Sequence, residues 1–237
     1  MPEPQPPDRI GNLLFDALPP DVRKALLVGS HFQKIYPAEE YVTLGDDVLS
    51  AYFVTCGALS ILAQPDAETI VEASTVGREG AADAFAAIGA LRARHRLIGQ
   101  IEGEMLVVDS KLLVEQVSQR GRAQTLIFSY IQALYGQAAI TAACNARHHV
   151  SQRTARSLLQ SHDCVDTDTF GLKQELLAYM LGVTRPSVSL AAATMRSAGL
   201  IDYTRGTITI LDRMGLEDAS CACYEQLRLQ YSELIEL

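Results

Sequence analysis

Little in this chain of 237 residues favours an enzyme, a secreted domain or a membrane span. Tryptophan is absent, which decides nothing. The five cysteines are Cys56, Cys144, Cys164, Cys221 and Cys223. Their odd count and irregular spacing speak against a disulfide framework and for a reducing cytoplasm. No signal peptide is visible, since the start, MPEPQPPDR, is proline-rich and polar. The longest uncharged apolar run, Val48–Ala63, is interrupted by Ser50, Thr55, Gly57 and Ser60. It alternates and holds a glycine, so it reads as strand–turn–strand and no membrane partner is expected. A carboxylate pair with a basic partner, Gly-x-Ser-x-Gly, a Walker loop and Gly-x-Gly-x-x-Gly are all missing, so no enzyme is expected. There are no internal repeats and no low-complexity tract beyond the start.

Positive charge is scarce as well: 20 Lys and Arg against 28 Asp and Glu leave a net −8. The deficit is uneven. Residues 145–215 hold eight basic residues (Arg147, Arg153, Arg156, Lys173, Arg185, Arg196, Arg205, Arg213) and six acids (Asp163, Asp166, Asp168, Glu175, Asp202, Asp212). That segment is therefore +2 and the remainder −10. A mildly basic part joined to an acidic one suits a nucleic-acid reader attached to a domain that is not one. The length suits two domains, and 48% hydrophobic residues is enough for real cores.

Residues 174–210 say most. Leu176, Leu177, Met180 and Leu181 recur at helical spacing. Ala178 is small where a second helix must cross, and Gly182 suits the left-handed position that ends a helix. Val183 plugs the gap between the helices. Thr184 can cap the second helix, and Pro186 is tolerated in its first turn. Val188, Ala191, Ala192 and Met195 form its buried stripe, and Gly199 stops it. Ile208 and Ile210 then alternate with Thr207 and Thr209 behind an Arg-Gly tip. The Ala-x3-Gly-x5-Val spacing, the second helix and the hairpin together predict a winged helix-turn-helix, which lays its second helix in the DNA major groove.

Upstream, residues 1–8 are expected to lack structure, and Ile10–Ala17 and Pro20–Val28 read as short helices. Short strands follow at 32–36, 41–44, 52–56, 59–63, 70–76, 97–101 and 105–108, with a helical turn over 83–90. Such spacing predicts an antiparallel β-barrel or jelly roll. Ile127, Ile131, Leu134, Ala138 and Thr141 form a heptad stripe on a long helix. Leu126, Tyr130, Ala133, Gln137, Ile140 and Cys144 form a second stripe beside it. Two stripes imply two burial partners. We expect one to be the barrel and the other the same helix of a second subunit, with Leu126, Ile127, Tyr130, Ile131, Leu134, Ala138 and Thr141 at the dimer interface. Residues 151–160 read as a helix packed on the reader. The tail carries an amphipathic pattern through Leu216, Tyr224, Leu227, Tyr231 and Leu234. The expected fold class is α+β, divided into a sensor barrel at 9–120, a dimerisation helix at 121–147, the winged helix-turn-helix at 148–215 and a helical tail at 216–237.

Barrel, long helix and reader in this order resemble the Crp/Fnr family of bacterial transcription regulators. The resemblance covers about residues 9–225. It is carried by Val150-Ser151-Gln152-Arg153, Lys173-Gln174-Glu175-Leu176, Leu181-Gly182-Val183-Thr184-Arg185, and the ending Thr204–Arg213. Cys221-Ala222-Cys223-Tyr224 and the Val-Gly-Arg-Glu-Gly string at Val76–Gly80 look like one branch of that family. The resemblance implies a cyclic-nucleotide-binding-type barrel whose effector repositions two readers. It implies double-stranded DNA as partner, a homodimer on a pseudo-palindromic site, and RNA polymerase as a further partner if the protein activates. Gln174 and Thr184 match phosphate-contacting positions, and Arg185 matches the arginine that reads a guanine. With Lys173, Ser187, Ser189, Arg205, Ser151 and Arg153 they form the expected DNA-contacting set. Pro186 and Leu190 stand where relatives often place Glu and Arg, so readout leans on Arg185 and DNA shape.

The expected effector pocket comprises Arg78, Glu79, Arg92, Arg94, Ala138 and Ala139. It departs from that of cyclic-AMP binders. Glu79 is shifted by one residue, the segment Leu91–Arg96 lacks Arg-Ser/Thr-Ala, and Ala138-Ala139 cannot hydrogen-bond a base. Cyclic AMP is therefore not expected. The alternatives are a cyclic-nucleotide-responsive regulator and a ligand-independent reader controlled by its own abundance. An iron–sulfur cluster is excluded because the first cysteine is Cys56. Haem is not expected either, because Pro2 has no evident second ligand. Cys221-x-Cys223 offers two thiols, too few for zinc, and no Cys or His spacing completes a metal site. These thiols read as structural, His148-His149 as a solvated pair near DNA or the hinge, and Asp163, Asp166 and Asp168 as a solvated turn.

Overall fold

The computed structural model describes residues 9–66, 69–119 and 121–235, with side chains through 231. Residues 1–8, Pro2 among them, and the Leu234 side chain lie outside the described residues. The chain opens with two short helices, α1 (Leu13–Ala17) and α2 (Pro20–Leu27). Asn12 caps α1 by accepting from the Phe15 amide at 2.8 Å. Its own amide donates to the carbonyls of Val54 at 2.8 Å and Gly80 at 2.7 Å. One buried side chain thus satisfies a helix end and pins it to the strands that follow.

Those strands are β1 (His31–Ile35), β2 (Glu40–Val42), β3 (Ser50–Ala63), β4 (Val71–Val76), β5 (Ala81–Ala82) and β6 (Arg96–Asp109), with a 3₁₀ turn at Ala84–Ile88 between the last two. They form one antiparallel sheet ordered β1-β6-β3-β4, with β2 also on β6 and β5 on β3. The expected antiparallel barrel or jelly roll is present as a sheet that is not closed, for no pairing joins β1 to β4 among the described residues. Two expected strand–turn–strand pairs are each one continuous strand of 14 residues. The glycines mark irregularities, not turns. Register shifts fall at Val54/Cys56, Cys56/Ala58 and Ala58/Leu59. There a side chain on Gly57 would collide with the Ile101 and Glu102 carbonyls, and one on Gly103 with the Cys56 carbonyl. A strand that bulges needs glycine where backbones cross this closely.

After α3 (Ser110–Ser118) comes α4 (Arg122–Arg147), 26 residues long and so about 39 Å. Then follow α5 (Val150–Asp163), β7 (Thr169–Gly171), α6 (Gln174–Leu181), α7 (Arg185–Ser197), β8 (Ile201–Thr204), β9 (Thr207–Ile210), α8 (Arg213–Ala219) and α9 (Cys223–Ile235). The wing has a third strand, β7 on β9, that the sequence reading did not include.

Two cores hold the chain. The first gathers α1, α2, the inner face of the sheet and α4, with Phe15 edge-on to Phe53 at 5.4 Å. The second joins Ala58, Leu62, Ile98 and Ile101 of the sheet to Ala155, Leu158 and Leu159 of α5 and to the buried faces of α6 and α7. The sheet and the C-terminal helices share that core. Gln100 donates across it to Ser161 at 2.9 Å.

Candidate functional site

The reader forms as its sequence dictates. Gly182 ends α6 at φ +58, the left-handed cap that glycine adopts without strain. The helices then meet at 108°, the angle of a helix-turn-helix. Leu176, Leu177, Ala178, Met180 and Leu181 of α6 bury against Val188, Ala191, Ala192 and Met195 of α7. Thr184 takes the cap position of α7, yet its hydroxyl meets Ser187 Oγ at 2.9 Å and no amide. The expected cap hydrogen bond is therefore absent.

Lys173, Gln174, Arg185 and Arg205 rim one cleft of about 390 Å³ with Glu175, Tyr203 and Gly206. Arg205 and Gly206 turn the wing tip at φ +53 and +84, a two-residue hairpin turn of the primed kind. Arg185 is 63% exposed and its Nε lies 3.1 Å from Glu175 Oε1. A pair this exposed is worth at most about 1 kcal/mol, so the guanidinium is readily released to another acceptor. Ser189 Oγ donates to Gln174 at 2.6 Å. Leu190 is exposed on the same helix. Sequence reasoning missed Glu175 and Tyr203, which reach the cleft across a turn and from a strand. No spacing signals either.

Ser151 is exposed at the start of α5. Arg153 is not a surface group: it is buried and donates to the Leu181 carbonyl, the last of α6. It is a helix cap, which corrects its expected DNA role. Arg153→Ala leaves that carbonyl without its donor, costing about 1–3 kcal/mol. A lowered melting midpoint with an unchanged salt slope of DNA binding is the expected result; a slope reduced by about one would restore the DNA role.

The expected effector residues are not brought together. Arg78 and Glu79 line a cleft of about 360 Å³ with Thr75, Gln137, Cys164 and Tyr231 among others. Arg78 is paired with Asp166 at 2.9 Å. Glu79 is half-buried and accepts from the Gly77 amide at 2.8 Å; desolvation pushes its carboxyl above the usual range. Arg92 lies elsewhere, near Asp47 at 3.8 Å, and Arg94 is exposed. Ala138 and Ala139 are half-buried and exposed on α4, outside the cleft. The acids read as a solvated turn each hold a partner: Asp163 with Arg213, Asp166 with Arg78, Asp168 with His162.

Leu126, Ile127, Tyr130, Ile131, Leu134 and Thr141 of α4 are buried within the single chain, against the first core and α9. Tyr231 of α9 donates to Gln137 at 3.1 Å and its ring lies 6.3 Å from that of Tyr130. The second burial partner of α4 is thus this chain's own tail, which corrects the expected interface. What α4 shows to solvent is another row: Thr125, Phe128, Gln132, Tyr135, Ala142 and Ala146, with Ala139 continuing it. The fold also brings Cys221 and Cys223 to Cys144 and His148, a meeting that no spacing revealed.

Residues 152–219 match the family described as the Crp-like helix-turn-helix domain. No curated protein matches the chain. Among solved structures, FixK2 from Bradyrhizobium japonicum has a TM-score of 0.67 at 14% identity, over 81% of this chain and 98% of that one. A transcriptional regulator of the Crp/Fnr family from Eubacterium rectale scores 0.66 at 15% identity, over 87% and 96%. A cyclic nucleotide binding protein from Ruegeria pomeroyi scores 0.57 at 20% identity, over 89% and 95%. The chain has the fold these proteins share, and its reader is a Crp-like helix-turn-helix domain. Among the described residues no single helix is long and apolar enough to cross a membrane.

Proposed function

We propose that this chain, a Crp-like helix-turn-helix domain on a Crp/Fnr-type fold, is a transcription regulator that reads a pseudo-palindromic DNA site as a homodimer. The observation that carries the reading is the cleft of Lys173, Gln174, Arg185 and Arg205 at the meeting of α6, α7 and the wing tip. Lys173, Gln174, Thr184 and Arg205 serve phosphates, which position the reader, and Ser151 joins them from the start of α5. Arg185 reads a guanine through O6 and N7, and Leu190 offers an apolar contact to a thymine methyl. Ser187 and Ser189 complete the helix face toward the bases. A dimer through the solvent row of α4 sets two readers about one helical turn apart. The branch marked by Val76–Gly80 and Cys221–Tyr224 belongs to the same proposal, as does RNA polymerase as the partner of an activating form.

Cyclic AMP is not the effector in this reading. Arg78 is engaged by Asp166, Arg213 and Arg228 at the cleft are engaged by Asp163 and Glu225, Arg92 and Arg94 lie outside it, and Ala138 and Ala139 offer an adenine no hydrogen bond. The test is selection of duplexes from a random pool by the full chain, followed by titration with and without cyclic AMP. Enrichment of an inverted repeat, bound equally in both conditions, is expected. A pool that stays random overturns the DNA reading. Enrichment that appears only with micromolar cyclic AMP overturns the effector reading and leaves the DNA reading intact.

A further inference from the structure

Four ligand groups from opposite ends of the chain converge beside the last turns of α4. Cys144 and His148 stand four residues apart at its C-terminal end, so both project from one face. Cys221 and Cys223 come from the bend between α8 and α9, where a single intervening residue lets two thiols face one point. The three Sγ atoms and the His148 ring nitrogen all lie within 4.8 Å of one another. Cys144 Sγ is 3.5 Å from Cys221 Sγ, and Cys223 Sγ is 3.6 Å from His148 Nδ1. The three thiols are buried and their cluster is separate from both main cores, with Ile140 packed beside it.

We propose that Cys144, His148, Cys221 and Cys223 bind a zinc ion as a closed tetrahedral Cys3His site. The Cys144–Cys221 and Cys223–His148 separations are those of a tetrahedron's edges, and the remaining ones lie within 4.8 Å. Zinc–sulfur bonds of about 2.3 Å and zinc–nitrogen bonds of about 2.0 Å place the ligand atoms about 3.5–3.8 Å apart. A disulfide does not account for the cluster: the Cys144–Cys221 separation of 3.5 Å is far from a bond of about 2.05 Å, and it would leave Cys223 and His148 unexplained. A [4Fe–4S] cluster puts each cysteine on a different iron, and a [2Fe–2S] cluster splits its four ligands between two irons; either spreads the ligand set wider than this. Four protein ligands leave no open position, so the ion is structural and not catalytic.

The surroundings match the charge of such a centre. Three thiolates and one zinc ion sum to one net negative charge. Arg153 and Arg156 are buried and close enough to act electrostatically on Cys144. Each keeps a buried Nε without a hydrogen-bond partner among the described residues. Buried cations need nearby anions to offset their desolvation; buried Glu72 acts on Arg156, and the metal centre supplies a further anion beside the pair. The ion also ties two distant segments. His148 is the residue at which α4 gives way to the reader, and Cys221 and Cys223 open the helix that packs back along α4. Metal binding therefore locks the joint between the long helix and the DNA-binding part.

The test uses the full chain, produced with zinc in the medium and purified under reducing conditions without chelator. Metal analysis is expected to find about one zinc per chain, and cobalt exchanged into the site to give the intense visible bands of a tetrahedral thiolate centre. Cys144→Ser/Cys221→Ser should drop the content to less than about a tenth of an ion, whereas Cys56→Ser should leave it unchanged. Should the double variant fail to fold, zinc release from the folded wild type on titration with a mercurial thiol reagent reads the same quantity. A zinc-free wild type that gives no cobalt spectrum overturns the proposal. So does full metal content in a folded double variant, or a Cys144–Cys221 disulfide as the stable form of freshly purified protein.

Discussion

Arg185→Ala weakens binding to the cognate site by about 1–3 kcal/mol, roughly 5–150-fold, and flattens discrimination at one base pair in each half-site. The size follows from how little else α7 offers. Ser187 meets Thr184 and Ser189 donates to Gln174, so both are engaged within the protein. Pro186 has no polar side chain, and Leu190 contributes only apolar contact. Arg185 is held by one exposed carboxylate, Glu175. Losing that contact on binding costs at most about 1 kcal/mol, well below the gain from a bidentate guanine pair. Fluorescence anisotropy on the selected duplex and on singly substituted duplexes separates the outcomes. An equal loss on every sequence, with a salt slope reduced by about one, would make Arg185 a phosphate contact instead.

Tyr135→Asp yields a monomer that keeps its fold, whereas Ile131→Asp abolishes the fold. Both residues sit on α4 and both changes add a carboxylate, so burial alone decides. Tyr135 is 72% exposed and Ile131 is 9% exposed. Phe128, Gln132, Tyr135, Ala139, Ala142 and Ala146 repeat at intervals of three and four, the spacing of a coiled-coil seam. The alanines at the far end let two helices approach closely. In the proposed dimer a charge at Tyr135 meets its own copy across that seam. Surface changes of this kind shift monomer stability by no more than about 0.5 kcal/mol. A charge at Ile131 enters the first core without a partner, costing several kcal/mol of the roughly 5–15 kcal/mol that hold a domain together. Sedimentation should give half the mass for Tyr135→Asp, with an unchanged melt and weak binding to a single half-site. A Tyr135→Asp protein that remains dimeric would place the subunit contact off α4.

The reader was legible almost residue by residue because its signals are local. Gly182, the stripe from Val188 to Met195 and the Ile208/Ile210 alternation each depend on neighbours within a few positions. The ends of α4 were legible for the same reason. The sheet as one burial partner of its stripes was legible too, but the second was not, because an apolar face is silent about whose surface covers it, and the answer lay about 90 residues on at Leu227 and Tyr231. Gly57 and Gly103 misled in the sheet, since glycine serves a turn and a bulge equally well. Arg153 misled because a basic residue in a motif next to DNA is not thereby at the surface. Cys144, His148, Cys221 and Cys223 show the limit most sharply. Two local pairs, each unremarkable alone, become a four-ligand set only when α9 folds back on α4.

The core shared by the sheet and the helix-turn-helix part bounds how the proposed regulator could switch. Swinging the reader away into water would expose Leu62, Ile98 and Ile101, at about 1.5–3 kcal/mol for each side chain. That sum, about 5–9 kcal/mol, exceeds the roughly 1–3 kcal/mol by which one ligand commonly biases two states. With such a gap the opened form is a rare visitor, and a ligand of ordinary selectivity leaves it rare. A workable second state therefore keeps this face covered, either by sliding α5 along the sheet or by giving the exposed strands another surface to cover them. For the proposed regulator, activity on DNA would then follow from which of two packed arrangements is populated, not from the freedom of a loosened reader.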